Sequence, residues 1–174
     1  MSVNVNPSTS GVSQSSRRYL YQDFTRVTGV TSASEQLVRQ VLIPAGSFPI
    51  GGRLRVQYML TKSGATDAIT SVRLRFGVAG TAADVSIYNV TTIVAGNRAY
   101  AASTDLSVNS ATVLRQANSN IAQGFEVGGA SNAAQPVDFT IGAHTTTPIY
   151  VSIFCTMAGT TDTPSVDNLS IELT

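Results

Sequence analysis

A chain of 174 residues with 43% hydrophobic and 12% charged side chains is long enough for one self-sufficient domain, and it carries about half the usual share of charge. Its formal net charge of +1 argues against general nucleic-acid binding, which needs many phosphate-neutralising cations. One cysteine, Cys155, excludes an intrachain disulfide, and no apolar run reaches transmembrane length, so neither a disulfide scaffold nor a membrane partner is expected.

Residues 1–18 are rich in Ser, Asn, Gly and Thr, and Val3, Val5 and Val12 are their main apolar members. Such a segment cannot offset its own conformational entropy and reads as an extended polar arm. It lacks the apolar stretch of a signal peptide, so synthesis in the cytoplasm is expected. The arm runs through Arg17 and Arg18 into Tyr19, Leu20, Tyr21 and Phe24, where the chain enters a domain spanning 19–174. Two readings stand open: a tail without a role, or an anchor that orders on a partner through Arg17, Arg18, Tyr19 and Tyr21.

Strands follow. Residues 36–43 lead through Pro44-Ala45-Gly46 to 52–60, where Leu54, Val56, Tyr58 and Leu60 alternate with Arg53, Arg55, Gln57 and Met59. In 69–78, Val72, Leu74, Phe76 and Val78 alternate with Arg73, Arg75 and Gly77. Alternation of period two marks strands with one buried face. Residues 84–94 make another strand, with Val85 and Ile87 inward. From Ala99 to Asn120 the pattern weakens, and either two short strands or a long surface loop fits. Ile121, Phe125 and Val127 suggest a further strand, and Val137, Phe139 and Ile141 the next. Residues 149–157 are apolar on both sides and read as a central strand, with Cys155 in the core. Leu169, Ile171 and Leu173 form the last strand. Eight or nine strands without a helix predict an all-β fold: an antiparallel two-sheet sandwich, jelly-roll-like, with an immunoglobulin-like sandwich as the alternative.

Equipment for chemistry is sparse. His144 is the only histidine and reads as a surface-loop residue. No zinc, calcium-loop or phosphate-loop spacing occurs, and no cofactor is expected. Two carboxylates distant in sequence could serve a glycosidase, but a chain without tryptophan offers few sugar platforms. Asn89-Val90-Thr91 and Asn168-Leu169-Ser170 are chance glycosylation sequons in a Ser/Thr-rich chain.

The strongest constellation is cationic. Ten of the eleven basic residues are arginines, and Arg53, Arg55, Arg73 and Arg75 fall on the outward face of two successive strands. If 52–60 and 69–78 pair as a hairpin, Arg55 lies opposite Arg75. Like charges so placed need an anion, from this chain, a sister subunit or a larger assembly. Successive strands of a sandwich also often belong to different sheets, which would part the four.

The segments Val41-Leu42-Ile43-Pro44-Ala45-Gly46, Gly52-Arg53-Leu54-Arg55-Val56 and Val72-Arg73-Leu74-Arg75-Phe76-Gly77 resemble small β-sandwich structural proteins of tailed bacteriophages. Thr28-Gly29-Val30-Thr31 and Leu169-Ser170-Ile171-Glu172-Leu173 extend the resemblance, which covers roughly 28–80 and the C-terminal strand; 95–135 has no counterpart. The resemblance implies a non-enzymatic virion component. The expectation is a capsid decoration (cement) protein on the head exterior, a homo-oligomer and specifically a trimer, partnered by the major capsid protein or other virion proteins. The alternative is a tail-fibre tip that contacts the host through residues 95–120 and 128–136.

Overall fold

The computed structural model describes residues 18–116 and 137–174. Among them are eleven strands and no helix: β1 (Arg18–Asp23), β2 (Val27–Thr28), β3 (Gln36–Ile43), β4 (Arg53–Lys62), β5 (Ile69–Gly77), β6 (Val85–Ile93), β7 (Ala99–Val108), β8 (Val113–Gln116), β9 (Val137–Thr140), β10 (Ile149–Met157) and β11 (Pro164–Leu173).

Antiparallel pairing is nested. β5 pairs with β6, β4 with β7, β3 with β10 and β1 with β11. A long ribbon of such pairs, rolled on itself, gives two sheets. One runs β1-β11-β4-β7-β8-β9, with β2 also on β11; the other runs β3-β10-β5-β6. This order is that of a jelly-roll sandwich. Hairpin β8–β9 widens the first sheet beyond β7.

The alternating strands supply the core as expected. Leu54, Val56 and Leu60 of β4, Val72, Leu74 and Phe76 of β5, and Val151 and Ile153 of β10 are all 0% exposed. Each such side chain contributes about 1.5–3 kcal/mol by leaving water. Cys155 is in this core, and burial pushes its thiol up to about 12, which makes it inert at neutral pH.

Four expectations need correction. The hairpin of 52–60 with 69–78 does not form: β4 sits between β11 and β7, and β5 between β10 and β6. The connection after β4 crosses from one sheet to the other, so Arg55 never meets Arg75. Of the two readings of 99–120, two strands are found, β7 and β8, but the first is neither short nor at an edge: 99–108 is a ten-residue strand inside its sheet. Its inward residues include Ala102 and Thr104, which hide the apolar period. Val78 is exposed because β5 ends at Gly77. There the Asp84 carboxylate folds back to accept the N–H groups of Ala79, Gly80 and Thr81, 2.1 Å from where a Cβ at Gly77 would stand. His144, finally, is 1% exposed rather than on a surface loop. The arm up to Arg17, the strand expected around Ile121, Phe125 and Val127, and the loop 128–136 lie outside the described residues.

Candidate functional site, one bare sheet face with a cationic groove

The two outer faces of the sandwich differ. On the β3-β10-β5-β6 sheet, Phe154 and Ser152 point outward and are nonetheless buried. The chain covers them itself. Glu35, just before β3, reaches over the sheet and accepts from Arg75 Nη2 at 3.2 Å to each carboxylate oxygen, and from Arg73 Nη1 at 3.4 Å. Arg75 Nη1 donates to the Asp84 carbonyl at 2.6 Å, and its guanidinium lies 5.6 Å from the Phe154 ring centre. Gln40 Nε2 donates to the Gly80 carbonyl at 2.7 Å and to Ser152 Oγ at 3.0 Å. Segment 78–84 is thereby tied across the sheet. Arg73 and Arg75 are members of an internal network, not a free contact surface.

On the larger sheet the outward residues fall in registered rows, several of them exposed, although Glu172 is buried at 2% exposure. Tyr19, Glu172, Arg55 and Asp105 stand side by side across β1, β11, β4 and β7. Arg53, Ser107, Arg115 and Asp138 form the neighbouring row. Arg55 grips Asp105 with two hydrogen bonds, from Nε at 2.8 Å and Nη2 at 3.3 Å. Arg115 grips Asp138 the same way, at 2.6 and 2.7 Å. The hydrogen bonds from Arg115 hold the Asp138 carboxyl below the usual range, and those to Asp105 raise Arg55. Opposite charges facing across strands favour this register.

Two concavities lie on this face. A groove of about 350 Å³ is lined by Arg53, Arg55, Asp105, Leu106, Ser107 and Thr174. An open shelf of about 370 Å³ lies against Phe24, Arg26, Met59, Asp167 and Asn168, and Phe24 is 70% exposed there. Arg53 and Met59 are six positions apart on β4, so groove and shelf are separated by roughly 20 Å.

The charge balance of this face follows from who is already engaged. Asp23 meets Arg39, Glu35 meets Arg73 and Arg75, Asp105 meets Arg55, Asp138 meets Arg115, and Asp167 meets Arg26. Asp67, Asp84 and Asp162 accept backbone N–H groups, and Glu172 stands beside Arg55. Every described carboxylate thus has a partner within the chain. Among the described residues, the cations whose side chains have none are Arg18, Arg53 and Arg98.

The anticipated contact residues are therefore dispersed. Arg53, Arg55 and Tyr19 share the bare face, and Arg18 begins its outermost strand. Tyr21 points into the seam between the sheets, where it accepts from Arg39 Nη2 at 3.2 Å and donates to Asp23. Arg17 lies outside the described residues. Sequence reasoning missed Glu35, Arg39 and Lys62. Lys62, buried at the other end of the sandwich, donates to the carbonyls of Asp67, at 2.6 Å, and Ala95, and lies 3.7 Å from Asp162 Oδ2. Its place at an inward position, after Leu54, Val56, Tyr58 and Leu60, was the available signal. Among the described residues no cluster of His, Cys, Asp and Glu could hold a metal ion. Compared with known proteins, the chain matches no family model and no curated protein.

Proposed function

We propose that this chain is a non-enzymatic structural protein of a bacteriophage virion, a capsid decoration protein that binds the head exterior as a homo-oligomer, with a trimer as the expected state. The observation that carries the reading is the asymmetry of the two outer faces. The chain covers the middle of one, over Ser152 and Phe154, with Glu35 and segment 78–84, whereas on the other the described residues leave Arg53 and Asp105 exposed in registered rows. Six strands about 4.8 Å apart and up to ten residues long offer roughly 800 Å², the area one partner gives to a standard protein interface. A face of paired charges with two exposed aromatics, Tyr19 and Phe24, suits contact with another protein surface more than it suits catalysis. The jelly-roll order and the resemblance of the Arg-bearing strands to phage structural proteins support the setting.

Gold-labelled antibody on purified virions, viewed by electron microscopy, tests the reading. Label over the head is expected. Label at the tail tip would transfer the chain to the tail-fibre alternative, and virions without label would overturn both. A mass measurement in solution tests the oligomer, which fails if only the 18.2 kDa monomer is found.

A further inference from the structure

We infer that Lys62 is a gated modification site, acylated by activated carboxyl compounds only when the β6–β7 connection, residues 94–98, swings away, and that acylation then keeps this end of the sandwich from closing. The inference is independent of the contact reading of the larger sheet's face. Its basis is a buried nucleophile. Lys62 is the only lysine of the chain, and its side chain is 0% exposed. The folded chain therefore presents no lysine amine at its surface. Nζ donates to the Asp67 carbonyl at 2.6 Å and to the Ala95 carbonyl, and faces Asp162 Oδ2 at 3.7 Å. Three connections thus close around it as a clasp.

The walls of the clasp are not equally firm. Connections 63–68 and 158–163 hold each other without Lys62. Asp162 accepts the N–H groups of Thr66 and Asp67, and Asp67 accepts those of Thr161 and Asp162. The Ser63 N–H donates to the Thr163 carbonyl at 3.1 Å, and the Thr163 N–H to Ser63 Oγ at 2.9 Å. Connection 94–98 has no such bracing. Among the described residues, the hydrogen bonds that tie it to the rest of this end both come from Lys62, one from Nζ to Ala95 and one from the backbone N–H to the Arg98 carbonyl at 3.0 Å. Val94 is 44% exposed, and a Cβ at Gly96 would meet nothing within 4 Å. Just ahead, Thr92 holds a β-branched side chain at a φ of 74°, in the left-handed region, which costs the end of β6 stability. A segment with few buried contacts opens locally at less cost than the whole fold, so 94–98 moves first and uncovers Nζ.

The chemistry balances. In the open state the ammonium gives one proton to solvent, and Nζ bonds to the acyl carbon. The bond from that carbon to its leaving group breaks, the electron pair departs with the leaving group, and a second proton passes from nitrogen to water. The product is a neutral amide with one N–H. It has lost the charge that faced Asp162 and two of three donors, so it cannot re-form the clasp.

The test treats the full folded chain with the acetyl ester of N-hydroxysuccinimide, beside an unstructured peptide with one lysine, and locates acetyl groups by mass spectrometry. Lys62 is expected to react at least about a hundredfold more slowly than the peptide lysine, the protection that a local opening gives. Hydrogen exchange then identifies the opening. Protection of the Lys62 amine should match that of the Lys62 backbone N–H, which 94–98 covers, and fall below that of the Asp67 and Asp162 N–H groups. Chain acetylated at Lys62 should unfold about 10 °C below chain acetylated at its α-amino group alone, read by calorimetry. Lys62 reacting as fast as the peptide, protection equal to or above that of the Asp67 and Asp162 N–H groups, or an unchanged midpoint would each overturn the inference.

Discussion

Lys62 is the residue on which most of one end of the molecule depends. Its ammonium is fully buried and joins three connections: that between β4 and β5 through the Asp67 carbonyl, that between β6 and β7 through Ala95, and that between β10 and β11 through Asp162. The last of these is itself locked. Asp162 accepts the N–H groups of Thr66 and Asp67 at 2.8 Å each, and Asp67 accepts those of Thr161 and Asp162 at 2.6 and 2.9 Å. Removing one member of a buried charged set leaves the others unsatisfied and costs about 3 kcal/mol. Lys62→Met should therefore lower the midpoint of thermal unfolding by about 10 °C, read by scanning calorimetry; an unchanged midpoint would mean the clasp contributes nothing net. Asp162 and Asp167 bear on the acid limit. Backbone N–H donors, chiefly that of Asp67, hold Asp162 below the ordinary carboxylate range, and hydrogen bonds from Arg26 do so for Asp167. A group whose pKa is lower folded than unfolded stabilises above its unfolded value of about 3.9, and that stability is lost as pH falls through the folded value. The urea midpoint should thus be flat from neutral pH to about 5 and fall below about 4, with a shallower fall in Asp162→Asn. His144 belongs to the same scale. Its Nε2–H donates to the Ser110 carbonyl at 2.7 Å and its ring lies 5.7 Å from Phe48. Both partners are distant in sequence, so its Gly-Ala-His-Thr surroundings read as a turn and could not announce its burial.

At the scale of strands, the sheet that an arginine belongs to decides what it does. Arg53 and Arg75 look alike in sequence, each alternating with apolar neighbours, and the alternation correctly placed both on an outward face. Period two cannot say which sheet a strand joins, because that is set by partners such as β10 and β11, far along the chain. Arg75 ended beneath Glu35 and segment 78–84, 7% exposed, and Arg53 in the open. Charge reversal separates them. Arg75→Glu places a carboxylate against Glu35 and strips the Asp84 carbonyl of its donor, so it should cost about 3–5 kcal/mol and lower the thermal midpoint by roughly 10 °C or more. Arg53→Glu should leave the midpoint within about 2 °C of the parent, because exposed substitutions away from such networks stay within about 0.5 kcal/mol. Circular dichroism melts of the two variants check this, and equal losses would refute the assignment of Arg75 to an internal network. The sheet edges bear on the proposed contact role of the larger sheet's outer face. β3 points the charged Arg39 inward, β1 is irregular between Tyr19 and Tyr21, β9 has four residues, and β6 contains Thr92 at a φ of 74°. Inward charge, bulges and short length all spoil an edge for strand addition, so among the described strands the edges are poor templates for a further strand.

For the molecule as a whole, nested pairing sets the order in which the fold can close. The innermost pair, β5 with β6, is joined by the short segment 78–84. The outermost, β1 with β11, brings Arg18 to Leu173 across nearly the whole domain. Closing a loop costs entropy that grows with its length, and it must be met before the contacts form. The outermost pair also depends on β4, which holds the other side of β11 and has to be in place first as a template. Folding should therefore propagate outward through the ribbon, from β5–β6 toward β4–β7 and β3–β10, and finish at β1–β11, on the millisecond-to-second scale of non-local β topologies. Pulse-labelling hydrogen exchange during refolding can read this order. Amides of β5 and β6 are expected to gain protection first and those of β1 last. Simultaneous protection of all strands would indicate one concerted nucleus, and early protection of β1 would refute the outward order. The outermost strand is also the one that carries Tyr19 and Arg18 to the margin of the bare face. A variant that lacks the β1–β11 pair should thus keep a folded inner ribbon while leaving the backbone groups along the outer edge of β11 unpaired.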